Sequence, residues 1–296
     1  MFKKLLSTGG LSFDRLVNFC AIAEQGSITK AAGGDPAKQS LYSRQIRELE
    51  EFFGVELTRR KGKGIEITEA GNELVRNARL QLQGLEDFKS SCEGAPLDFR
   101  IASGNSVLEW FLIPRLKTFQ KELKPYSLHF HEFRSREIVQ GLVDHSIDFG
   151  IVRKTALVSS LKSAPMVELG YSLFAPVAWK KEKVEDLLNH HPLATPIGGE
   201  FLEQFQSAAQ KHKQTIRITH FCSSFTQAAQ LVRHGIASAI LPDLVMHGID
   251  PLIPRHKLTW ITGYRRELLL AWHPRLISIR PRALKLLEVF KGMKKY

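Results

Sequence analysis

The strongest pattern along the chain is a stripe of apolar residues at helical spacing between positions 37 and 53. Tyr42, Ile46, Leu49 and Phe53 follow one another at intervals of four, three and four residues. Because an α-helix turns once in about 3.6 residues, these side chains fall on one face. The spacing predicts an amphipathic helix whose stripe packs against a core.

A different face of the same helix carries hydroxyl and guanidinium groups and no carboxylate. Ser40, Ser43, Arg44 and Arg47 recur at intervals of three, one and three residues. These groups suit the DNA major groove, because Arg binds guanine edges or phosphates and Ser binds either. The alternative is a solvated face on which the arginines pair with the three glutamates at 48–51.

The residues before this helix predict a short helix and a glycine turn. Ser27 can cap a helix that runs through Ala32, and Gly33-Gly34 would end it. Asp35 can cap the longer helix, and Pro36 fits its first turn. A short helix, a turn and a longer helix form a helix-turn-helix, which presents its second helix to DNA.

A basic hairpin is predicted after the recognition helix. Residues 55–60 and 65–68 read as two short strands, and residues 61–64 read as the turn between them. The basic residues near its tip are Arg59, Arg60, Lys61 and Lys63. A basic wing beside a recognition helix would meet phosphates or the minor groove. The alternative is an ordinary charged hairpin loop.

A long helix is predicted over residues 69–91, with Thr68 as its cap. Its apolar residues form one narrow seam, composed of Leu74, Ala78, Leu82, Leu85, Phe88 and Cys92. Such a helix has little globular body to pack against, so we expect it to pair with a second copy of the chain. Two recognition helices would then face successive major grooves.

After a hinge at residues 94–96, the chain alternates predicted strands and helices. Strand segments are predicted at 99–102, 128–133, 147–152, 169–176, 193–197, 216–221, 237–241, 257–261 and 267–272. Helices are predicted up to residue 122 and over 136–145, 224–234 and 281–294. This order predicts an α/β fold in two units, with parallel strands flanked by helices.

Composition is that of a folded protein, and the charge is distributed unexpectedly for a DNA-binding protein. The chain has 296 residues, of which 43% are hydrophobic, and a formal charge of +12. Residues 1–93 contain 14 Lys and Arg against 13 Asp and Glu, whereas residues 94–296 contain 28 against 17. Bulk charge therefore does not mark the DNA-binding end. The basic remainder either attracts anions or provides solubility.

Several function classes lack their sequence signatures. The three cysteines are far apart and have no CxxC spacing, which disfavours a disulfide framework and a zinc site. We find no nucleophile elbow, P-loop or dinucleotide motif, so we expect no catalytic residue, metal or cofactor and no enzyme. The charged start at residues 1–6 lacks the long apolar run of an export signal, and no segment can span a bilayer. We expect a cytoplasmic protein.

The sequence resembles the LysR-type transcriptional regulator family. The resemblance lies in GSITKAA (26–32), SRQIRELE (43–50) and ITEAG (67–71), and more loosely in IDFGIVR (147–153) and LVRHGIASAILP (231–242). It implies a winged helix-turn-helix over 11–68, a dimerising linker helix over 69–93 and an effector-binding domain over 94–296. This last domain would be a two-lobed α/β fold of periplasmic-binding-protein type. Lobe one would cover about 94–154 and 264–296, and lobe two about 155–263.

Double-stranded DNA is the first partner that this resemblance implies. The expected contacts are Ser27, Thr29, Lys38, Gln39, Ser40, Ser43, Arg44, Arg47, Arg60, Lys61 and Lys63. Phosphate contacts would position the head, and the recognition helix would read bases. The linker helix implies a homodimer or homotetramer.

A small-molecule effector is the second expected partner. In open α/β sheets, ligands bind beyond the carboxyl ends of strands, beside helix N-termini. That rule selects Ser103, Asn105, Ser106, Ser135, Arg153, Ile197 and Gly198. In family members that sense carboxylates, the positions matching Ser106, Ser135 and Arg153 hold the anion. We therefore expect a small anionic effector, which could also be aromatic. Two roles are open for Arg153, a clamp on the anion or a structural ion pair between the lobes.

These expectations combine into a ligand-responsive, sequence-specific transcriptional regulator. The alternative is a solute-binding protein or small-molecule enzyme built on the same α/β lobes, which leaves residues 11–93 without a role. An architectural DNA-binding protein is a third possibility, and it leaves the α/β fold of residues 94–296 unexplained.

Overall fold

The computed structural model describes residues 9–62, 64–197, 200–261 and 263–295. Its N-terminal part, the head, contains three helices and a hairpin. These elements are α1 (Phe13–Gln25), α2 (Ile28–Ala31), α3 (Pro36–Phe53), β1 (Thr58–Lys61) and β2 (Gly64–Ile67). The two strands are antiparallel and pair Thr58 with Ile67. The head is therefore the predicted winged helix-turn-helix.

Helices α2 and α3 begin at the residues that the sequence marks as their caps. The side chain of Ser27 accepts a hydrogen bond from the N–H of Lys30, and Asp35 accepts from Ala37 and Lys38. These bonds satisfy N–H groups that have no partner within the helix. Gly33 and Gly34 both adopt positive φ, as a tight turn between two helices requires. The chain reverses there because glycine has no side chain to oppose that conformation.

The predicted stripe on α3 is buried only in its middle. Ile46 and Leu49 are buried in the core of the head, whereas Tyr42 is half-buried and Phe53 lies at the exposed end. The buried core of the head is Phe19, Ile22, Ile46, Leu49, Leu57 and Val75. Since Val75 belongs to the next helix, the head and that helix share one core.

The linker helix α4 (Glu69–Glu93) follows, and Thr68 caps it through the N–H of Gly71. The expectation that α4 has little to pack against is wrong, because its N-terminal half packs on α1 and its opposite face packs on the α/β domain. The C-terminal half of the predicted seam is exposed, with Leu85 at 49% and Phe88 at 71%. Phe13 and Val17 of α1 are also exposed.

The first lobe begins as predicted and then departs from the regular pattern. Its elements in chain order are β3 (Leu97–Ser103), α5 (Asn105–Val107), α6 (Ile113–Leu116), α7 (Gln120–Leu123), β4 (Tyr126–Glu132), α8 (Ser135–Val143), β5 (Phe149–Arg153) and β6 (Lys162–Leu169). The single helix expected up to residue 122 is interrupted by a wide π turn over Leu108–Leu112. Pro114 follows that turn and has no N–H to bond the carbonyl four residues back.

The second lobe lies between the two crossings of the chain. Its elements are β7 (Tyr171–Phe174), α9 (Val184–Asn189), β8 (Leu193–Pro196), α10 (Glu200–Lys211), β9 (Ile218–Cys222), α11 (Phe225–Arg233), β10 (Ser238–Pro242) and β11 (Arg255–His256). The strand expected over 257–261 is wrong, because Thr259–Ile261 form a single 3-10 turn. The chain then returns to lobe one with β12 (Arg266–Trp272), α12 (Pro274–Ile279) and α13 (Ala283–Gly292).

Both sheets have five strands and mix parallel with antiparallel pairs. Lobe one has the order β4-β3-β5-β12-β6, and lobe two has the order β11-β7-β10-β8-β9. Strands β3, β4 and β5 are parallel, but β12 runs antiparallel to both β5 and β6. The sequence predicts parallel strands, but each sheet also contains antiparallel pairs. They arise because a strand that follows a crossing between the lobes runs opposite to the neighbouring strands of the sheet that it joins.

A buried ion triad joins α4 to lobe one. Arg280 is 3% exposed; its Nε and Nη2 donate to the carboxylate of Asp87 at 2.8 and 2.9 Å, and its Nη1 donates to Asp148 at 2.7 Å. Its guanidinium also lies 4.0 Å from the ring centre of Phe99. Burial raises the pKa of Asp148, while the charge of Arg280 acts in the opposite direction. The triad attaches the C-terminal half of α4 firmly to lobe one.

A second attachment of α4 lies beside a buried histidine. Arg79 donates to the carbonyl of Asp144 at 2.8 Å, and Gln83 donates to the carbonyl of His145 at 3.3 Å. The ring of His145 is buried and meets the ring of His273 edge-on at 4.4 Å. Burial, with help from nearby cations including Arg275, lowers the pKa of His145 to about 4.

This histidine predicts that stability falls as the solution becomes acidic. Because the folded state holds His145 neutral, its contribution is complete above the unfolded pKa near 6.5 and is lost as pH falls toward 4. Asparagine tolerates the positive φ of this position and does not titrate. We therefore expect the free energy of unfolding of His145→Asn to fall by on the order of 2 kcal/mol less than that of the natural chain between pH 7.0 and 4.5. Urea unfolding at pH 7.0 and 4.5 measures it, with exposed His234→Asn as the control. An unchanged pH dependence in His145→Asn would contradict this role.

Candidate nucleic-acid interface and effector cleft

A concave groove on the head collects most of the residues predicted to meet DNA. It has a volume of about 690 Å³ and lies between α2, the exposed face of α3 and the hairpin. Of the predicted residues it is lined by Ser27, Thr29, Gln39, Ser40, Ser43, Arg47 and Arg60. Lys38, Arg44 and Lys61 lie outside the groove, and Lys63 lies outside the described residues.

Hydrogen bonds within the groove orient its side chains. Thr29 donates to the side-chain oxygen of Gln39 at 3.2 Å, which leaves the amide N–H groups of Gln39 as donors. The Ser43 hydroxyl donates to the carbonyl of Gln39 at 2.9 Å, and Arg47 Nε contacts the carbonyl of Ser43 at 3.4 Å. Arg47 is exposed along the groove with its terminal nitrogens available for an anion.

Arg44 shows part of the alternative pairing considered for this face. Its side chain is 66% exposed and lies 3.7 Å from Glu48. The same carboxylate is bound at 2.7 Å by Arg15 of α1. Because Glu48 already has a closer partner, the contact to Arg44 is a weak surface pair. The helix face around Ser43, Arg44 and Arg47 therefore remains open to a ligand.

The hairpin carries its own ion pairs. Lys61 contacts Glu66 across the strands at 2.7 Å, and Arg59 lies 3.6 Å from Glu56. The hydrogen bond and charge of Lys61 lower the pKa of Glu66. Arg60 has no ion pair with any residue in the described ranges, and its side chain faces the groove. Of the described basic residues on the hairpin, Arg60 is thus the one best placed for a phosphate.

In the α/β domain, the structure brings two of the predicted effector residues into contact. Arg153 ends β5, and its backbone N–H donates to the hydroxyl of Ser135 at 3.2 Å. Ser135 opens α8, so both residues stand at the carboxyl edge of the lobe-one sheet. Ser103 ends β3 but is completely buried, with its hydroxyl 3.5 Å from the carbonyl of Ile151. Ser103 thus supports the strand end from inside the sheet.

The other predicted effector residues lie around the junction of the lobes. Asn105 opens α5 and donates to the hydroxyl of Thr226 at 3.2 Å, which links lobe one to α11 of lobe two. Ser106 is half-buried beside it. Ile197 follows β8 with its side chain 57% exposed, and its N–H donates to the carbonyl of Cys222 at 2.7 Å. Gly198 lies outside the described residues.

An aromatic cluster at the crossing of the chain was not anticipated from the sequence. Tyr171 opens β7, and its ring lies 4.7 Å from Phe201, 5.8 Å from Phe225 and 5.4 Å from Tyr264. Arg266 opens β12, and its guanidinium lies within 6 Å of the rings of Tyr171, Phe201 and Tyr264. The sequence signal that could have indicated this cluster is position along the chain, since Tyr171 and Arg266 each begin a strand directly after a crossing between the lobes.

A winged helix-turn-helix head, a long linker helix and a two-lobed α/β domain define a one-component regulator, which binds DNA at one end and a ligand at the other. The model for the bacterial regulatory helix-turn-helix protein, lysR family, matches residues 13–72. The model for the LysR substrate binding domain matches residues 96–291. The chain belongs to the LysR family of transcriptional regulators.

Relatives and solved structures agree with this membership. The transcriptional regulator AlsR of Bacillus subtilis is 24% identical over 84% of this chain and 88% of its own. CysB of Haemophilus influenzae is 28% identical over 57% of this chain and 55% of its own.

Among solved structures, full-length CbnR in complex with its target DNA has a TM-score of 0.60 at 21% identity, covering 96% of this chain and 100% of CbnR. ArgP from Mycobacterium tuberculosis has a TM-score of 0.65 at 18% identity, covering 96% and 97%. These two structures share the fold of this chain.

Family membership settles the broad class of function. The relatives are named as transcriptional regulators, which confirms the prediction that the chain is not an enzyme. The chain is a LysR-type regulator with a DNA-binding and an effector-binding part. Of the helices in the described ranges, none combines the length and apolarity that a bilayer crossing requires.

Proposed function

We propose that this regulator responds to a small anionic effector held between the two lobes. The effector changes the angle between the lobes and, through α4, the spacing of two heads on DNA. The observation that carries this proposal is the position of Arg153, at the carboxyl edge of β5, with Ser135 bound to its backbone. A guanidinium at that edge, beside the start of α8, provides the charge that an anion needs.

On the DNA side, the proposal assigns base reading to α3 and phosphate contacts to the hairpin. Support comes from the groove that joins Gln39, Ser43 and Arg47 to Arg60 on one continuous surface. Ser27, Thr29 and Ser40 line the same groove, and Lys38, Arg44 and Lys61 extend it at the rim. Head, linker and effector-binding parts would span residues 11–68, 69–93 and 94–296. The protein would work in the cytoplasm, where its DNA is.

A second copy of the chain completes the proposal. The side chains of Phe13, Val17 and Leu85 are exposed and line one concave surface of about 1050 Å³ between α1, α4 and lobe one, and Phe88, which is 71% exposed, follows Leu85 by one turn of α4. Large apolar side chains grouped on one surface are more than scattered exposure and support an interface there. Pairing along it gives a homodimer whose two heads face successive major grooves, and two such dimers give a homotetramer.

The effector half of the proposal is tested at Arg153. We expect Arg153→Ala to weaken binding of an anionic effector by about ten- to hundredfold, since a charge-assisted hydrogen bond contributes about 1.5–3 kcal/mol. Titration calorimetry against a panel of small carboxylates and phosphates measures the affinity. Lys154→Ala, one position along and exposed in a pair with Glu267, serves as the control. Unchanged affinity in Arg153→Ala would assign this arginine to a structural pair between the lobes.

A further inference from the structure

The positive charge of the α/β domain is concentrated at the C-terminal end of the chain. Residues 264–296 contain nine Lys and Arg against two Asp and Glu, whereas residues 94–263 contain 19 against 15. The domain is therefore nearly balanced except in the segment that returns to lobe one. Solubility alone does not require the charge to be placed in one segment, so the position of these residues on the surface is informative.

Much of this charge lies on α13 and on the helical turns that pack beside it. The two pieces run side by side: the Tyr126 hydroxyl donates to the carbonyl of Arg282 at 3.2 Å near one end of α13, and near the other end an added Cβ on Gly292 would lie 3.4 Å from the ring of Phe119. Six exposed cationic side chains form this surface, the basic face, which is composed of Lys117, Lys121, Lys124, Arg282, Lys285 and Lys294. The first three follow at intervals of four and three residues, the spacing of one helix face.

The basic face has few carboxylates to balance it. Within the described ranges, none of its six side chains forms an ion pair with an Asp or Glu. Glu288 on α13 is bound by Lys291 at 2.8 Å, and Asp98 on the neighbouring strand β3 is bound by His129 at 3.0 Å. Glu122 is the exposed carboxylate that α7 itself contributes. Because six cations on adjoining segments repel one another, a polyanion is the partner that this surface fits.

The dimensions of the basic face suit a duplex. α13 has 10 residues and is therefore about 15 Å long. Double-stranded DNA carries one negative charge per about 1.7 Å of its axis, so the same length of DNA presents about nine charges. Cations spread over that length match a row of phosphates better than they match one small anion.

The basic face also lies within reach of DNA that is bound by the head. α12 packs on α4 so closely that an added Cβ on Gly84 would lie 2.9 Å from Ile279, and α13 begins at Ala283. From Gly84 back to Glu69, beside the head, α4 spans about 22 Å, which is the length of about seven base pairs. A duplex that bends toward lobe one would therefore reach the basic face within about one helical turn. Bending DNA costs free energy, and additional phosphate contacts offset that cost.

We infer that the basic face is a second DNA-binding surface, which holds the phosphates of the DNA that flanks the site bound by the head. It contacts phosphates and reads no bases, so it strengthens binding to longer DNA whatever the flanking sequence. The contact attaches lobe one to the duplex, in addition to the attachment through α4. The inference rests on the proposed function, since the head must hold the DNA that the basic face meets.

The test compares two duplexes taken from the DNA upstream of the protein's own coding region. The short duplex ends at the outermost bases whose substitution weakens binding of the natural chain, and the long duplex adds about two helical turns of scrambled sequence on each side. We expect the natural full-length chain to bind the long duplex at least about tenfold tighter in a gel shift, because only the long duplex offers phosphates to the basic face. Equal binding of the two duplexes overturns the inference.

A triple variant locates the additional contact. It combines Lys121→Gln, Arg282→Gln and Lys285→Gln. We expect it to bind the short duplex as the natural chain does and to bind the long duplex about tenfold more weakly or worse, with a salt slope lower by about 0.9 for each lost phosphate contact. Because the three side chains are exposed and unpaired, the melting temperature should not change.

A matched control removes the same amount of charge from lobe two. It combines Lys180→Gln, Lys181→Gln and Lys183→Gln, which are exposed positions with Glu182 and Glu185 nearby in the chain. This control should keep the preference for the long duplex. If the two triple variants weaken binding equally, net charge is the cause and the inference is overturned.

The short duplex separates this inference from the proposed function. Arg47→Ala should weaken binding of both duplexes, whereas the triple variant of the basic face weakens only the long one. If the natural chain binds the short duplex selectively and gains nothing from the long one, the head binds DNA as proposed and the basic face does not. If the natural chain binds neither duplex, both proposals fail.

Discussion

Arg280→Ala is expected to lower the free energy of unfolding by about 3–5 kcal/mol, the cost of removing one member of a buried charge pair. The loss is large because Arg280 serves both Asp87 and Asp148, and all three side chains are buried or nearly so. Without the guanidinium, Asp148 keeps its charge in the core with only the N–H of Arg100 as donor. Urea unfolding monitored by circular dichroism measures the change.

The pH dependence identifies the cause of that loss. Burial raises the pKa of Asp148 and the charge of Arg280 opposes this, so we expect Arg280→Ala to raise that pKa further. Protonation of Asp148 then relieves the unfavourable charge as pH falls. The difference from the natural chain should therefore be larger at pH 8 than at pH 5. Arg265→Ala, which removes an exposed pair with Glu168, should change stability by less than about 1 kcal/mol. A difference below 1 kcal/mol for Arg280→Ala would contradict the triad's role.

Arg47→Ala is expected to abolish selective DNA binding at physiological salt. An arginine in contact with a base or phosphate contributes about 1–3 kcal/mol, and a homodimer carries two copies, which gives a loss of about 2–6 kcal/mol. Arg47 lines the groove and makes no ion pair with a described residue. Arg44→Ala should have a smaller effect, because Arg44 lies outside the groove that Arg47 lines.

A gel shift with the DNA that flanks the protein's own coding region measures this effect. Binding by the natural chain should weaken steeply as the salt concentration rises. Arg47→Ala should make this dependence less steep, because a protein with fewer phosphate contacts releases fewer counterions when it binds. Arg217→Ala, an exposed arginine on lobe two, is the control for net charge. If Arg47→Ala and Arg217→Ala bind alike, the face of α3 does not read DNA.

The head could be predicted from the sequence almost completely, because its determinants are local. Caps at Ser27, Asp35 and Thr68 act on N–H groups within three residues, and the turn at Gly33-Gly34 needs only its own backbone. The helix stripe was also correct in its buried middle. The periodicity of α4 could not indicate which part of the chain would cover each of its faces. The expectation that this helix has little to pack against was therefore wrong.

The α/β domain was less predictable, because its sheets depend on contacts between distant segments. β12 inserts between β5 and β6 after a long excursion through lobe two, and no local pattern indicates that antiparallel entry. The strand-end rule did predict that Ser135 and Arg153 meet at one edge of the sheet, since it needs only the order of strands and helices. The contact between Tyr171 and Arg266 was not predicted, because only the two crossings bring residues so far apart in sequence together.

The attachment of α4 to lobe one makes this helix a lever. Arg79, Gln83 and Asp87 attach α4 to lobe one from its middle toward its C-terminal end, so a rotation of lobe one would carry the helix with it. From Asp87 back to Glu69 the helix is about 27 Å long, so a tilt of about 7° swings its far end by about 3 Å. That displacement is close to the rise of one base pair, about 3.4 Å. A rotation of a few degrees in the α/β domain is thus enough to shift a head by one step along a duplex.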